Sequence, residues 1–354
     1  MHGGAVVGVV GCGNWGSKHV RVLSSFPEVR QVAVIETNQK TRESVLTSFP
    51  RARGFEDLAS ALPHVSAVVV ATPPPSHYEL ALTALRHRKH VLVEKPMTET
   101  ADEAVLLVNE ARRSSCVLMT GHTLIFNPAV KELRSRLSRG NLGRIRSIHA
   151  AQFSLGQSAH GADAVWDLAP HSLSVFNHLI GSHPTSVRAW NESACKRTEE
   201  IHVELQYGEA GPSGFIHISI GGGRKVRTFT VIGTEKSAVY DDLAESQLKM
   251  YRQLPVQGVE EGLEQDDDIV VPDLEPAEPL AEELRHFLAA IRDQSPPESS
   301  GRDGMVAVAI MEAIDRSRKN QRPAMVYYPT EAHFEEAWVV RDYASNATNG
   351  RDQL

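Results

Sequence analysis

The stretch AVVGVVGCGNWGSKH (residues 5–19) joins a run of small apolar residues to a G-x-G-x-x-G motif and then to a helix-like segment. In such a motif one glycine makes a tight turn, the next lets the backbone approach a pyrophosphate, and the third lets the helix pack on the strand. The first turn of the helix supplies N–H groups and the positive end of its dipole. The candidate phosphate-binding residues are Gly11, Gly13, Asn14, Trp15 and Gly16. A purely structural turn is the alternative, and the surrounding sequence decides between the two.

The first 122 residues alternate between short apolar runs and segments long enough to form crossover helices. The apolar runs are rich in Val, Ile and Leu, which is typical of parallel strands covered on both faces. The predicted strands are Ala5–Val10, Gln31–Glu36, Ser66–Ala71, His90–Glu94 and Cys116–Thr120, and the predicted helices are Trp15–Ser25, Gln39–Ser48, Pro75–His87 and Ala101–Ser114. The alternation predicts an α/β Rossmann domain, with a doubly wound parallel sheet, over residues 1–122.

Glu36 ends the second predicted strand, twenty residues after Gly16. At this spacing a carboxylate accepts hydrogen bonds from the adenosine ribose of a dinucleotide. Counted together with the strand and the helix around the glycine motif, Glu36 favours a dinucleotide site over a structural turn. Its charge would repel a 2′-phosphate and therefore favours NAD over NADP. Arg42 can stack on adenine in either cofactor, so NADP stays open.

The ends of two further strands carry the remaining candidate residues of this domain, because ligands of open α/β sheets bind outside the carboxyl ends of the strands. Thr72 and Pro73 follow the third predicted strand and, with His77, are expected beside the cofactor. For His77 the alternative is a helix-start residue without a ligand. Glu94 and Lys95 end the fourth strand, where a lysine can stabilise negative charge on a substrate oxygen. A surface lysine at a strand end is the alternative for Lys95.

The segment WDLAPH (residues 166–171) is the second candidate for chemistry. Pro170 and the apolar-periodic residues after it predict a helix over His171–Ile180. Asp167 and His171 are four residues apart and would face one pocket if the first turn is helical. An imidazole can take a hydroxyl proton near neutral pH, and an aspartate beside it would fix its tautomer. The chain has 16 histidines, so a structural role for His171 is the alternative.

The second part of the chain follows a different pattern, because polar and apolar residues alternate at period two from about residue 145. Such strands have one wet face and usually pair antiparallel. The predicted strands are Arg144–Phe153, Ser186–Asn191, Ile201–Tyr207, Phe215–Ile220, Val226–Ile232 and Gln247–Arg252, followed by helices at Leu280–Asp293 and Asp303–Arg318. We expect a second domain over residues 123–330, with its last helices packing back on the first domain, and a tail over residues 331–354.

The length, charge and cysteine content of the chain exclude some classes of protein. A length of 354 residues favours two domains, and a net charge of −7 argues against a nucleic-acid partner. Three widely spaced cysteines predict neither a disulfide framework nor a zinc site and fit a reducing cytoplasm. No apolar run is long enough to span a membrane, so we expect a cytoplasmic protein. The acidic segment Val259–Asp268 is expected to be a solvated loop, and no metal site is predicted.

Seven motifs, in their order along residues 5–320, resemble the glucose-fructose oxidoreductase / inositol dehydrogenase family, called Gfo/Idh/MocA. They are VGVVGCGNWGSKH, VVVATPPPSHYELALTAL, HVLVEKPMTET, GHTLIFNPAVKELR, LGRIRSIHA, WDLAPHSLSVF and RDGMVAVAIMEAI. The resemblance implies a Rossmann domain followed by an α+β domain with a large, mostly antiparallel open sheet, whose open face covers the nicotinamide. It also implies homodimers or homotetramers built through those sheets.

The resemblance also implies roles for individual residues. Lys95 matches the family's catalytic-site lysine, and Asp167 and His171 match its D-x-x-x-H segment, with His171 as the usual acid/base. Ser172 departs from the acidic residue that many relatives have there, which bears on substrate contacts. The stretches GHTLIFNPAV, WDLAPH and VIGTEKSAVYDD are similar to a branch that acts on nucleotide sugars or amino sugars.

These observations predict an NAD(P)-dependent oxidoreductase that moves a hydride between nicotinamide and a secondary hydroxyl of a sugar, sugar derivative or cyclitol. Two alternatives stay open. One is a catalytically silent regulator that binds a dinucleotide, and the other is a reductase or dehydrogenase of a non-sugar substrate. The presence of Lys95, Asp167 and His171 together argues against the regulator, because a sensor need not keep all three.

Overall fold

Continuous runs of buried valine and isoleucine form the strands of a parallel sheet in the first part of the chain. The computed structural model describes residues 4–155, 163–192, 199–221, 223–252 and 269–329. The strands of this sheet are β1 (Ala5–Val10), β2 (Val29–Ile35), β3 (Arg53–Phe55), β4 (Ala67–Val70), β5 (His90–Glu94) and β6 (Leu118–Gly121). The helices between them are α1 (Asn14–Ser25), α2 (Gln39–Ser48), α3 (Leu58–Ala61), α4 (His77–Arg86) and α5 (Ala101–Arg113).

The order of the six strands is β3-β2-β1-β4-β5-β6, and every pair is parallel. The side chains of Val7, Val9, Val68 and Val69 are fully buried, as strands covered on both faces require. The strand order reverses between β1 and β4, and a crevice at the carboxyl ends of such strands is where open α/β sheets bind ligands. The predicted Rossmann sheet is therefore confirmed.

The second sheet has nine strands within the described residues, in the order β14-β13-β12-β11-β7-β10-β9-β8-β15. Its strands are β7 (Ile145–Ser154), β8 (Ser186–Glu192), β9 (Glu199–Gln206), β10 (Ser213–Ile220), β11 (Val226–Gly233), β12 (Lys236–Asp241), β13 (Leu248–Arg252), β14 (Ile269–Val270) and β15 (Ala324–Met325). The remaining helices are α6 (Pro128–Ser138), α7 (Ala164–Ile180), α8 (Pro279–Asp293) and α9 (Gly301–Asn320). The pairing is antiparallel, as predicted, except between β7 and β10, which run parallel.

Helices α7 and α9 cover one face of this second sheet, and we call this the inner face. Alternate residues such as Ile148, Val203 and Ile216 point to it and are buried. The outer face carries the intervening residues, of which Trp190 is 41% and Phe215 36% exposed. Helix α9 also reaches the first domain, where Glu312 accepts a hydrogen bond from the Ala101 N–H at the start of α5 (2.9 Å).

The start of α7 differs from the prediction, because the helix begins at Ala164 and Pro170 lies inside it rather than near its first turn. A proline within a helix removes one hydrogen bond and weakens the turn before it. Side-chain contacts stabilise that turn: Asp163 caps it and pairs with Arg318 (2.9 Å), and the Trp166 indole donates to Asp315 (2.8 Å). These long-range partners cannot be read from the local sequence.

Several short elements were missed by the sequence prediction, namely β3, β12, β14, β15, α3 and α6. The two-residue and three-residue strands carry too little pattern to be recognised. Helix α6, however, has an Asn127 cap followed by Pro128 at its first position, and both are readable start signals. The predicted acidic loop Val259–Asp268 and the tail over 331–354 lie outside the described residues. Among the helices that the structure describes, none combines the length and apolarity needed to cross a membrane.

Candidate active site

The glycine motif forms the turn between β1 and α1, and two of its glycines are fixed by close packing. Gly11 has a φ of +80°, and a Cβ there would lie 2.6 Å from the Thr72 side chain. A Cβ on Gly16 would lie 1.8 Å from the carbonyl oxygen of Gly11. Gly13 is different, because a Cβ on it would meet nothing within 4 Å. Gly13 therefore leaves open space at the N-terminus of α1, where no side chain caps the helix.

This open space fits the pyrophosphate of a dinucleotide. Backbone N–H groups of the first turn of α1, around Asn14 and Trp15, have no acceptor in the helix itself and point toward the opening. The carboxylate of Glu36 stands at the rim, where it accepts hydrogen bonds from the backbone N–H groups of Cys12 (2.8 Å) and Asn38 (2.9 Å). The Arg42 guanidinium donates to the carbonyl oxygen of Glu36. Glycine turn, helix terminus and acid thus have the arrangement that NAD requires.

Thr72 and Pro73 follow β4 at the carboxyl edge of the parallel sheet. The closeness of Thr72 to Gly11 places the end of β4 directly beside the motif. His77, in contrast, is only 1% exposed, and its ring nitrogens lie against the carbonyl oxygens of Pro96 (2.8 Å) and Thr72 (2.7 Å). The expectation that His77 contacts the cofactor is therefore corrected. Its side chain joins two strand-end loops, which agrees with the ligand-free alternative.

Glu94 is the last residue of β5 and directly precedes Lys95, and its side chain reaches the helix that follows the glycine turn. Its buried carboxylate accepts hydrogen bonds from the Trp15 indole and from His19 (2.7 Å). Burial alone would raise the pKa of the Glu94 carboxyl, but the hydrogen bond and charge of His19, with Trp15 and Lys95, outweigh it and lower the pKa. Glu94 is consequently an anion that orients α1 relative to β5. Both of its oxygens are occupied by protein groups.

The Lys95 ammonium crosses from the first domain to α7. Its Nζ donates to the Asp167 carbonyl oxygen (2.8 Å) and to the Asp167 carboxylate (3.0 Å). The two side chains are 20% and 24% exposed, so solvent reaches the pair without surrounding it. The Lys95–Pro96 peptide bond is cis. Because Asp167 fixes the ammonium group from two directions, one Nζ proton remains available for a ligand oxygen.

His171 lies one helical turn after Asp167 on α7 and is half-buried. Burial lowers the pKa of His171 well below its usual value, and the positive charges of Lys95, Arg227 and His122 lower it further. The ring is therefore neutral at pH 7 and can accept a proton. Lys95 is bound to Asp167, one helical turn before His171 on the same helix.

Asp167 does not hydrogen-bond to His171 in the part of the chain that the structure describes. We expected the aspartate to fix the tautomer of the histidine, and the structure places it on Lys95 instead. Lys95 reaches from the end of β5 onto the first turns of α7, where its Nζ binds the backbone carbonyl oxygen and one carboxylate oxygen of Asp167.

Three residues near His171 were not singled out from the sequence. His122 follows β6, and burial lowers its pKa to about 4. Arg227 on β11 lies opposite Gln152 on β7, and the Gln152 amide donates to Ser172 beside His171 (3.3 Å). His122 could have been found, because it follows a parallel strand end as Lys95 does. Arg227 and Gln152 could not be recognised in the same way, because their position near His171 results from the pairing of strands that are far apart in the sequence.

The two sheet residues near His171 lie on one face of the second sheet. Gln152 lies on the helix-covered inner face, and its partner Arg227 shares that face. The sheet side chains beside His171 thus come from the inner face.

Most of the chain matches two models of one protein family. The model of a family described as "Oxidoreductase family, NAD-binding Rossmann fold" (GFO_IDH_MocA) matches residues 6–122. The companion model, "Oxidoreductase family, C-terminal alpha/beta domain", matches residues 134–326. Together the two models cover both sheets and the residues of the candidate site.

Individual relatives are distant. The chain is 27% identical to a 1,5-anhydro-D-fructose reductase of Ensifer adhaerens over 251 residues, which are 67% of this chain and 73% of the relative. It is 22% identical to an inositol 2-dehydrogenase of Rhizobium meliloti (strain 1021) over 89% of this chain and 97% of the relative. Among solved structures, GenD2 from gentamicin A biosynthesis in complex with NAD is 25% identical, with a TM-score of 0.75 over 92% of this chain and 97% of that chain.

Proposed function

The chain belongs to the Gfo/Idh/MocA family of NAD-binding oxidoreductases, and from this premise we propose that it oxidises a secondary hydroxyl of a sugar, sugar derivative or cyclitol reversibly. The family and the NAD-binding fold agree with the prediction from the sequence. The relatives named above act on an anhydrosugar and an inositol, which supports a polyhydroxylated substrate. We further propose that the substrate belongs to the nucleotide-sugar or amino-sugar class.

One observation carries the proposal. Lys95 is held on Asp167 in the turn of α7 before His171, at the edge of the parallel sheet where the glycine turn and Thr72 lie. We infer that this cation and the neutral imidazole one turn further on both reach the predicted nicotinamide position. This pair suits the interconversion of a hydroxyl group and a carbonyl group.

The glycine turn and Glu36 would hold NAD, which would supply the hydride acceptor for the carbinol carbon. Residues of the chain transfer the proton and position the substrate. A ring nitrogen of His171 takes the proton of the hydroxyl group as the C–H bond breaks, and it returns the proton in the reverse reaction. The Lys95 ammonium orients the substrate oxygen and stabilises its developing negative charge. Asp167 positions Lys95, and Glu36 selects NAD by repelling a 2′-phosphate.

The experiment compares Lys95→Ala and His171→Ala with the unaltered protein. Both variants should bind NADH as the unaltered protein does and lose most of their turnover with sugars, sugar phosphates, nucleotide sugars and inositols. Nicotinamide absorbance reports turnover, and NADH fluorescence reports binding. Full activity in both variants would defeat the assignment. Tight NADH binding by the unaltered protein without turnover on any of these substrates would support the silent regulator instead.

We propose that copies of the chain associate as a homodimer or homotetramer through the outer face of the second sheet. The exposed rings of Trp190 and Phe215 on this face support an interface. Light scattering of the unaltered chain and of Trp190→Glu tests this arrangement. A monomeric unaltered protein, or an assembly that the glutamate leaves intact, would contradict it. The cytoplasmic location stays a prediction from the sequence.

A further inference from the structure

The outer face of the second sheet carries two histidines and a glutamate on neighbouring strands. His202 on β9 and His217 on β10 lie directly opposite each other in the antiparallel register. Glu200 precedes His202 by two residues, so it points to the same face of the sheet. Gln152 and Arg227, which lie near His171, belong to the other face. The three residues are therefore separate from the candidate active site.

Their ligand atoms converge. One atom from each of Glu200, His202 and His217 lies within 4.8 Å of the other two. The Nε2 atom of His217 is 3.7 Å from a Glu200 carboxylate oxygen, which is too far for a hydrogen bond. Two ligands of a tetrahedral zinc ion, with bonds of about 2.0–2.2 Å, are roughly 3.4 Å apart. The observed separation is thus closer to that of two atoms sharing an ion than to that of a bonded pair.

His217 also has an unsatisfied nitrogen. Its Nε2 is buried and has no hydrogen-bond partner in the described part of the protein. A buried polar atom of this kind costs free energy unless something binds it. A metal ion between His217 and Glu200 would satisfy the nitrogen and neutralise the carboxylate.

Aromatic contacts order the two imidazoles in the ion-free protein. The rings of His202 and His217 are stacked, with centroids 4.3 Å apart. Trp190 stacks on His202 at 5.3 Å, and Phe153 contacts His217 edge-on at 4.8 Å. Because a metal ion lies in the plane of each imidazole that binds it, one ring must turn out of this stack for both to bind the same ion.

We propose that Glu200, His202 and His217 form a zinc-type divalent metal site on the outer face of the second sheet. Imidazole nitrogens and a carboxylate oxygen are the ligands that zinc prefers, and three protein ligands leave the fourth position for water or for a group of a second copy. The site is independent of hydride transfer. The ion would cross-link β9 and β10 and stabilise this face of the sheet.

The test measures zinc binding by metal-free protein against a chromogenic chelator. We expect the unaltered protein to bind one zinc ion per chain. His202→Gln and His217→Gln should lose this ion, and Glu200→Gln should bind it at least about tenfold more weakly. The matched control is His149→Gln, because His149 lies on the same face, stacks on Phe215 at 4.8 Å and is not among the three converging residues. This control should bind zinc as the unaltered protein does.

A second measurement distinguishes loss of the site from misfolding. NADH binding should be equal in all four variants, since none of the altered residues lies near the glycine turn. Cobalt substitution should give the visible spectrum of a tetrahedral ion in the unaltered protein and in His149→Gln, and not in His202→Gln or His217→Gln. The chain has 16 histidines, so scattered surface binding is the competing explanation. Equal stoichiometry in all variants, equal losses in His149→Gln and His217→Gln, or no zinc bound by the unaltered protein would each overturn the proposal.

Discussion

Replacing Asp167 by asparagine tests how far the reaction depends on the position of Lys95. The substitution removes one charge from a contact of 3.0 Å and leaves the backbone carbonyl of residue 167, 2.8 Å from Nζ, in place. A hydrogen bond to a charged group contributes about 1.5–3 kcal/mol. The pair is 20–24% exposed, so solvent screening places the loss in the lower half of that range, about 1.5–2 kcal/mol. Since about 1.4 kcal/mol corresponds to a factor of ten, kcat should fall roughly ten- to thirtyfold.

The assay is steady-state oxidation of a substrate found in the panel, together with NADH binding by fluorescence. The dissociation constant of NADH should change by less than about twofold, because Asp167 contacts no part of the glycine turn. Asp163→Asn is the matched control: it makes the same chemical change on the same helix, where Asp163 pairs with Arg318, and asparagine still caps a helix. Unchanged kcat in Asp167→Asn, or an equal loss in Asp163→Asn, would refute the positioning role.

Three further predictions concern pH, cofactor choice and the glycine turn. Burial and then the charge of Lys95 lower the pKa of His171, so the rate of alcohol oxidation should fall only at a pH below the usual pKa of histidine. In Lys95→Ala, the residual activity should fall at a higher pH than in the unaltered protein, because one positive charge near His171 is gone. A pH profile with the same acid limb in both proteins would contradict this coupling. Glu36→Ser should raise kcat/KM with NADP relative to NAD by at least about tenfold, measured with both cofactors, and an unchanged ratio would show that Glu36 does not select the cofactor. Gly13→Ala should fold normally and weaken NADH binding, whereas Gly16→Ala should lower thermal stability because its Cβ would overlap the Gly11 carbonyl; equal stability of the two variants would contradict the packing argument.

The Rossmann domain could be predicted from the sequence because its signals are local. Buried parallel strands are continuous apolar runs, and a glycine turn with an acid after the next strand has a fixed spacing. Residues that follow such strands, including Thr72 and Lys95, therefore fall near one edge. His122 obeys the same rule, because it directly follows β6.

The second domain shows where local pattern stops being informative. Period two predicts a strand and its wet face, but it does not predict that β7 and β10 run parallel, because their pairing joins residues 66 positions apart, such as Ser147 and Ser213. Pro170 indicates a helix start when read alone, yet contacts made by Asp163 and Trp166 extend α7 backward past it. The partner of Asp167 was likewise set by the reach of Lys95 from another domain.

A crystal structure of the protein with NAD bound tests the proposed site most directly. We expect a pyrophosphate against the backbone at Gly13 and a nicotinamide ring whose C4 faces the space between the Lys95 ammonium and the His171 imidazole. A dinucleotide bound elsewhere, or a nicotinamide with Lys95 and His171 on opposite sides of the molecule, would contradict it.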